Sequence, residues 1–99
     1  MCIYNNIKIF MQKYPFKEIK KGYSKIRIFE GSIDEFELKW HCDREDREIT
    51  IIESNGWKYQ EDNKLPVDLK DGDVIFIPKD TFHRVIKGNG DFKIKVKFI

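Results

Sequence analysis

The chain has few of the residues that mark specialised protein classes. Of its 99 residues, two are cysteines, three are prolines and six are glycines. Cys2 and Cys42 are too few for a disulfide framework, and we expect both to be thiols in a reducing compartment. Residues 1–10 lack the basic-then-apolar layout of a signal peptide. We therefore expect a cytoplasmic protein.

A strong charge of either sign is also missing. The 19 basic and 17 acidic residues leave a formal net charge of +2, and the lysines are spread along the chain rather than gathered into one run. This distribution argues against nucleic acid or a membrane surface as a partner. No segment approaches the ~20 continuous apolar residues of a membrane span. The length predicts a single domain over residues 1–99.

Short alternating segments account for most of the chain. In residues 92–98, four apolar residues alternate with three lysines, which is the clearest half-buried strand. Residues 25–28 and 57–60 alternate in the same way, and turn signals such as Asn55-Gly56 and Asp71-Gly72 lie between such segments. This pattern predicts an all-β sandwich or barrel. Only residues 4–14 suggest a helix.

A possible metal site begins in residues 35–43. Read as a strand, this segment puts Phe36, Leu38 and Trp40 on one face and His41 and Asp43 together on the other. The polar face either lines a hydrated pocket or faces solvent. The alternative interpretation is that His41 and Asp43 only begin a solvated loop, because residues 43–48 are six charged residues in a row.

Two histidines and one carboxylate with open coordination positions form the ligand set favoured by non-haem Fe(II) oxygen chemistry. His41, Asp43 and His83 can supply that set. Glu48 opens the apolar-containing segment 49–52 and can return to the same opening. His83 also has a simpler interpretation, as a hydrogen-bonded residue at the start of a strand.

Two motifs resemble those of the cupin superfamily. Gly72, Pro78 and His83 fit the second cupin motif, with five residues between the glycine and the proline and the histidine five residues after the proline. Residues 41–48 fit a degenerate first motif, in which Asp43 replaces the second histidine and Glu48 is the glutamate. The resemblance covers roughly residues 24–99, so that residues 1–23 would form an N-terminal extension.

Two further departures concern the backbone. The glycine expected after Glu48 arrives one position late, at Gly56, which predicts a bulge or a shifted turn. The glycine that usually follows the proline of the second motif is replaced by Asp80. A histidine-x-aspartate…histidine pattern is also similar to that of 2-oxoglutarate-dependent oxygenases, but those enzymes are usually much longer, and we favour a small cupin.

The resemblance implies a single-domain cupin β-barrel, also called a jelly roll or double-stranded β-helix. It implies one divalent transition metal per chain, with Fe(II) favoured and Mn, Ni or Zn as alternatives, held by His41, Glu48 and His83 with Asp43 in the remaining place. Because Asp43 is fixed by the same strand as His41, we expect it to matter more than Glu48. Cupins commonly dimerise, and we predict a homodimer through the apolar face of residues 36–40.

Function is predicted in two classes. The first is a metal-dependent enzyme of dioxygenase, isomerase or lyase type that acts on a small organic acid, and the second is a non-catalytic cupin that binds a small ligand in its pocket. Basic residues near the predicted ligands favour an anionic substrate. We assign the substrate contacts to Arg47, Tyr59, Gln60 and Arg84. The candidates for a general acid or base are Glu35, Glu37 and Tyr59.

Overall fold

Short antiparallel strands make up nearly all the regular structure of the chain. The structure, a computed structural model, describes residues 15–99. Its strands are β1 (Lys17–Lys21), β2 (Ser24–Phe29), β3 (Arg47–Glu53), β4 (Lys58–Glu61), β5 (Val67–Asp68), β6 (Val74–Ile77), β7 (His83–Ile86) and β8 (Phe92–Phe98). They form a five-stranded sheet, β1-β2-β8-β3-β6, and a three-stranded sheet, β5-β4-β7. The all-β prediction is confirmed, whereas the helix predicted over residues 4–14 lies outside the described residues.

The hydrophobic core draws on both sheets. β8 turns Phe92, Ile94 and Val96 inward and its lysines outward, as the alternation predicts. Trp57 is fully buried and stacks on Phe92 with 4.9 Å between ring centroids. Its indole N–H donates to the Gly90 carbonyl at 2.9 Å, so that the polar atom of this large side chain keeps a partner inside the core.

β3 ends in a bulge followed by a tight turn. Its pairing with β8 changes register between Ile51 and Glu53, which leaves one extra residue in β3. Asn55 and Gly56 follow with φ angles of 48° and 79°. Two successive left-handed residues are typical of a type I′ turn, and asparagine-glycine is its preferred sequence. The bulge predicted from the late position of Gly56 is present.

Residues 35–43 do not form the strand that their alternation predicts. Asp34 instead caps a 3₁₀ helix over Glu35–Glu37, and its carboxylate accepts the Phe36 N–H at 3.0 Å. Such a local hydrogen bond offers the backbone an alternative to strand pairing. Phe36 is exposed, whereas Leu38 packs on the core. The apolar face predicted for dimerisation is therefore absent from this segment.

The five-stranded sheet begins before the predicted barrel boundary at residue 24. β1 pairs with β2 from Lys17↔Ile28 to Lys21↔Ser24, so part of the predicted extension over residues 1–23 belongs to the sheet. Every residue of β1 is exposed, as expected of a lysine-rich strand at a sheet edge, although the Glu18 side chain is partly covered by Arg27 and Lys25.

The prediction of a thiol at Cys42 was wrong, because Cys42 is disulfide-bonded. Cys2 lies outside the described residues. The spacing of cysteines along a chain does not show which sulfur atoms meet after folding. Two cysteines in a sequence are therefore compatible with free thiols and with a disulfide bond. The expected thiols therefore no longer support a reducing compartment, and the cytoplasmic localisation stays a prediction. No helix between residues 15 and 99 is long and apolar enough to cross a membrane.

Candidate metal centre

The loop between β6 and β7 delivers His83 to the interior. β6 ends at Ile77, Pro78 terminates the pairing, and Thr81 N–H donates to the Pro78 carbonyl at 3.3 Å as the chain reverses. Asp80 has a φ of 63°, so aspartate takes the left-handed conformation in place of the expected glycine. His83 then opens β7, with only 6% of its side chain exposed. The distance between Pro78 and His83 thus matches one chain reversal.

His41 meets His83 through the backbone rather than through a strand of its own. The two residues form an isolated antiparallel bridge, in which each N–H donates to the other's carbonyl at 2.9 Å. Their rings lie 4.4 Å apart, centroid to centroid. The Asp80 N–H donates to the Asp43 carbonyl at 2.8 Å, which ties the β6–β7 loop to the same segment. Two loops distant in sequence therefore hold both histidines.

Backbone carbonyls orient both imidazole rings in the same way. Nδ1 of His41 lies 2.9 Å from the Lys39 carbonyl oxygen, and Nδ1 of His83 lies 2.7 Å from that of Thr81. A carbonyl oxygen can only accept, so in each ring Nδ1–H donates and Nε2 keeps its lone pair when the ring is neutral. This second hydrogen bond is what fixes a histidine as a metal ligand in known sites.

Asp43 brings its carboxylate to both free imidazole nitrogens. Its Oδ1 lies 3.9 Å from His41 Nε2, and its Oδ2 lies 3.6 Å from His83 Nε2. Both separations are close to those between ligands that bind one ion at ~2.1 Å. The ligand atoms of the three residues all lie within 4.8 Å of one another. These donors fit a divalent transition metal.

Burial differs sharply among the three residues. The exposed fraction of the side chain is 6% for His83, 12% for Asp43 and 52% for His41. The site is therefore closed on the side of the core and open beside His41. Burial and the neighbouring His41 lower the pKa of His83, which favours the neutral ring that a metal requires.

Arg47 balances the charge of Asp43. Its Nη2 lies 3.3 Å from Asp43 Oδ1 and 2.8 Å from Glu45 Oε1, and its guanidinium lies over the Phe98 ring at 5.0 Å. Only 13% of the Arg47 side chain is exposed. Arg47 was predicted to contact substrate, and the structure places it as the cation beside a candidate metal ligand.

Tyr59 and Glu61 form the wall next to His83. The Tyr59 hydroxyl donates to Glu61 Oε1 at 3.2 Å, and the Tyr59 ring lies 5.7 Å from that of His83. Burial, helped by the Glu61 and Asp43 carboxylates, raises the pKa of Tyr59, so the phenol stays protonated. Hydrogen bonds from Lys64 and Tyr59 lower the pKa of Glu61. Glu61 was not predicted, because only the pairing of β4 with β7 sets it opposite His83.

Glu48 lies apart from the other predicted ligands. In β3, Ile49 and Ile51 are buried, so Glu48 and Thr50 point to the opposite side of the sheet. Glu48 pairs in register with Lys97, whose side chain also faces outward. The structure therefore brings together His41, Asp43 and His83 and leaves Glu48 out. That Asp43 matters more than Glu48 for metal binding stays a prediction.

Gln60 and Arg84, two predicted substrate contacts, also point away from His83. They pair in register between β4 and β7, one position out of phase with Tyr59 and His83. Arg84 Nε donates to Gln60 Oε1 at 2.9 Å, and the guanidinium lies over the Trp40 ring at 4.7 Å. Their role in substrate binding stays a prediction, and a ligand that reached them would lie on the outer side of the three-stranded sheet.

The fold of this chain is similar to that of several solved cupin structures. The chain superimposes on an RmlC-like cupin with a double-stranded β-helix fold from Methanocaldococcus jannaschii at a TM-score of 0.62, with 12% identity, over 87% of this chain and 82% of that one. The chain also superimposes on the DMSP lyase DddQ from Ruegeria pomeroyi, at a TM-score of 0.64 and with 15% identity, over 76% of this chain and 36% of that one.

The Fe(II) form of HppE in complex with its substrate aligns with a TM-score of 0.62 and 11% identity, over 88% of this chain and 55% of HppE. This chain thus spans about a third of DddQ and about half of HppE. No family model matches the sequence, and no curated protein matches it either. Identities this low establish the fold alone.

Proposed function

We propose that this chain, which has the cupin fold, is a metal-dependent protein that holds one divalent transition ion through His41, Asp43 and His83. The observation that carries the proposal is the orientation of both Nε2 atoms, by backbone carbonyls, toward a mostly buried carboxylate. We favour Fe(II), since two histidines and one carboxylate with open positions suit non-haem iron, and Mn, Ni or Zn would fit the same donors.

The proposed activity is a dioxygenase, isomerase or lyase reaction on a small organic acid. A bound ion would supply a Lewis-acid or oxygen-binding centre. The open side of the site at His41 gives a small ligand access, while the core closes the side of His83. With a divalent cation present, the positive charge of the site would favour an anionic ligand. The lyase DddQ and the Fe(II) enzyme HppE share the fold, which by itself does not fix a reaction.

Tyr59 is the residue we propose for proton transfer. Its raised pKa keeps the hydroxyl protonated at neutral pH, so it would act as an acid toward a bound substrate. Glu61 accepts its hydrogen bond and would hold the phenol in place. Tyr59→Phe removes the hydroxyl and keeps the ring, and we expect it to lower turnover while leaving metal content unchanged.

The decisive experiment is elemental analysis of protein purified without added metal or chelator. We expect about one transition metal per chain, and a Glu48→Ala variant should match the wild type, because Glu48 lies outside the three-residue cluster. Oxygen uptake and product formation with Fe(II) and a panel of small carboxylic acids would then identify the reaction. A wild-type chain that binds no ion but does bind such an acid would be a non-catalytic cupin, and the proposal would fail.

A further inference from the structure

The side of the five-stranded sheet that points away from the core carries an ordered pattern of charge. We call this surface the outer face. Its central strand, β8, turns Lys93, Lys95 and Lys97 outward, because the residues between them are buried. The sequence spaces lysines along the whole chain, and the alternation of one strand gathers these three into a row.

The strands on the two sides of β8 complete the outer face differently. On one side, β3 places Glu48 opposite Lys97, Thr50 opposite Lys95 and, after the bulge, Glu53 opposite Lys93. On the other side, β2 places Ser24, Ile26 and Ile28 opposite the same three lysines. A row of cations therefore lies next to a row that contains two carboxylates.

Apolar side chains flank these charged rows. β6 adds Val74 and Phe76, both more than half exposed, beside Thr50 and Glu48. A depression of about 400 Å³ crosses the middle of the outer face from β1 to β3, lined by Lys21, Ser24, Ile26, Thr50, Ile52 and Lys95. Nothing within residues 15–99 covers Val74 and Phe76. The lysines of β8 make no ion pair within this range.

This pattern is complementary to itself. A two-fold axis that runs along the strands between β8 and β3 would bring β8 of one copy over β3 of the other. Lys97 would then face Glu48 of the partner subunit, and Lys93 would face the partner's Glu53. By the same registers, Val74 of one copy would lie over Ile26 of the other, and Phe76 would lie over Ser24. Both charged pairs therefore meet opposite charges, and Val74 meets an apolar side chain.

We propose that the outer face is a homodimer interface built around this two-fold axis, with the reciprocal pairs Lys97–Glu48 and Lys93–Glu53 along it. The proposal moves the dimer contact from residues 36–40, where the apolar face is absent, to the five-stranded sheet. It leaves His41 of both copies open, because the metal cluster lies on the opposite side of β3.

Two other occupants fit the outer face less well. An anionic lipid surface or a nucleic-acid backbone would bind the lysines of β8 but would also meet Glu48 and Glu53 in the adjacent row. Like charges brought together in a contact oppose binding. A second copy uses the carboxylates as well as the lysines, and it would cover the exposed Val74 with Ile26.

Charge reversal tests the proposed pairing. Lys97→Glu and Glu48→Lys should each weaken dimerisation by at least ~10-fold, since each change occurs twice in a symmetric dimer and replaces attraction with repulsion. The double variant, Lys97→Glu with Glu48→Lys, restores opposite charges and should return to within about three-fold of the wild-type dissociation constant. Lys20→Glu is the matched control, because Lys20 lies in β1 with its side chain in the opposite phase.

Sedimentation velocity from about 5 to 500 µM protein measures the dissociation constants, with circular dichroism to confirm that each variant is folded. A wild-type monomer over this whole range would overturn the proposal. A dimer that ignores both reversals, or single losses that the double variant does not repair, would also overturn it. A monomer that binds phosphatidylserine vesicles and loses that binding in Lys97→Glu would assign the face to a lipid surface and exclude the dimer.

Discussion

Arg47 and Glu48 are neighbours in β3, yet they belong to two regions with different physical chemistry. Arg47 points inward, where it contacts Asp43 and Glu45 and is 13% exposed. Glu48 points outward, in register with Lys97 in a solvated row of charges. Removing one partner of a mostly buried ion pair costs far more than removing an exposed charge. One step along a strand therefore separates a residue that supports the metal cluster from one available for association.

The largest expected effect on the inner region follows from removing a histidine ligand. His83→Ala and His41→Ala should each lose most of the bound metal, because each deletes one of three donors from the cluster. Elemental analysis of the purified variants measures the loss, with Lys97→Ala as a control on the outer side of the sheet. Stoichiometric metal retained in the double histidine variant would place the site elsewhere.

Comparison of Asp43 with Glu48 tests the assignment of inner and outer carboxylates directly. Asp43→Ala should weaken metal binding at least ~100-fold, whereas Glu48→Ala should change it by less than about three-fold, because only Asp43 faces the imidazole nitrogens. Competition titrations with a chromophoric chelator give both affinities. A larger loss in Glu48→Ala would mean that the family motif, rather than the alternation of β3, identifies the ligand.

The third prediction concerns the free energy of unfolding of an Arg47 variant with and without bound metal. Arg47→Met leaves the mostly buried Asp43 carboxylate without its cation and should destabilise the metal-free protein by about 2–3 kcal/mol. A bound divalent ion would balance that carboxylate instead, so saturating metal should reduce the difference. Urea unfolding with and without metal measures both values, and Lys20→Met, at an exposed position of β1 outside the outer face, should cost less than about 0.5 kcal/mol. Equal losses in the two variants would contradict the contrast between the regions.

The smallest effect concerns the pH dependence of the metal-free protein. Burial and the neighbouring His41 lower the pKa of His83 below its ordinary value of 6.5. The unfolded chain therefore binds a proton near pH 6.5 that the folded chain binds only at lower pH. The contribution of the neutral His83 ring to the free energy of unfolding is fully present above pH 6.5. It declines as the pH falls from 6.5 through the pKa of His83 in the folded protein.

Urea unfolding of the metal-free protein between about pH 5 and 8 measures this dependence. His83→Gln cannot titrate and should flatten the acid side of the curve. A wild-type protein that becomes more stable on acidification through this range would show that the His83 ring is charged in the folded state.

The fold and most of the cluster were accessible from local patterns. The pleat of a strand forces neighbouring side chains to opposite sides, so the lysines and apolar residues of β8 were separated correctly without any knowledge of the other strands. The spacing from Pro78 to His83 is also local, since it reflects one chain reversal. The cupin resemblance implied His41, Glu48 and His83 with Asp43 in the remaining place, and the structure brings together His41, Asp43 and His83 without Glu48.

Local patterns failed where a hydrogen bond or a partner strand decides the outcome. The alternation of residues 35–43 predicts a strand, but the capping bond from Asp34 closes a 3₁₀ helix instead. The inward position of Arg47 beside Asp43 and the outward position of Glu48 depend on the register of β3 with β6 and β8. A shift by one residue would exchange the two, and six charged residues in a row carry no sign of which way each will point.

The sequence by itself determined the all-β class, the strand alternation and the residue types able to bind a metal, because these depend on backbone geometry and donor chemistry within a few residues. Only the tertiary structure decided that Glu61 lies opposite His83, that Arg47 balances Asp43, and that the lysine row of β8 lies beside Glu48 and Glu53 of β3. Each of these depends on pairing between strands far apart in sequence, whose register is set by the burial of the whole core.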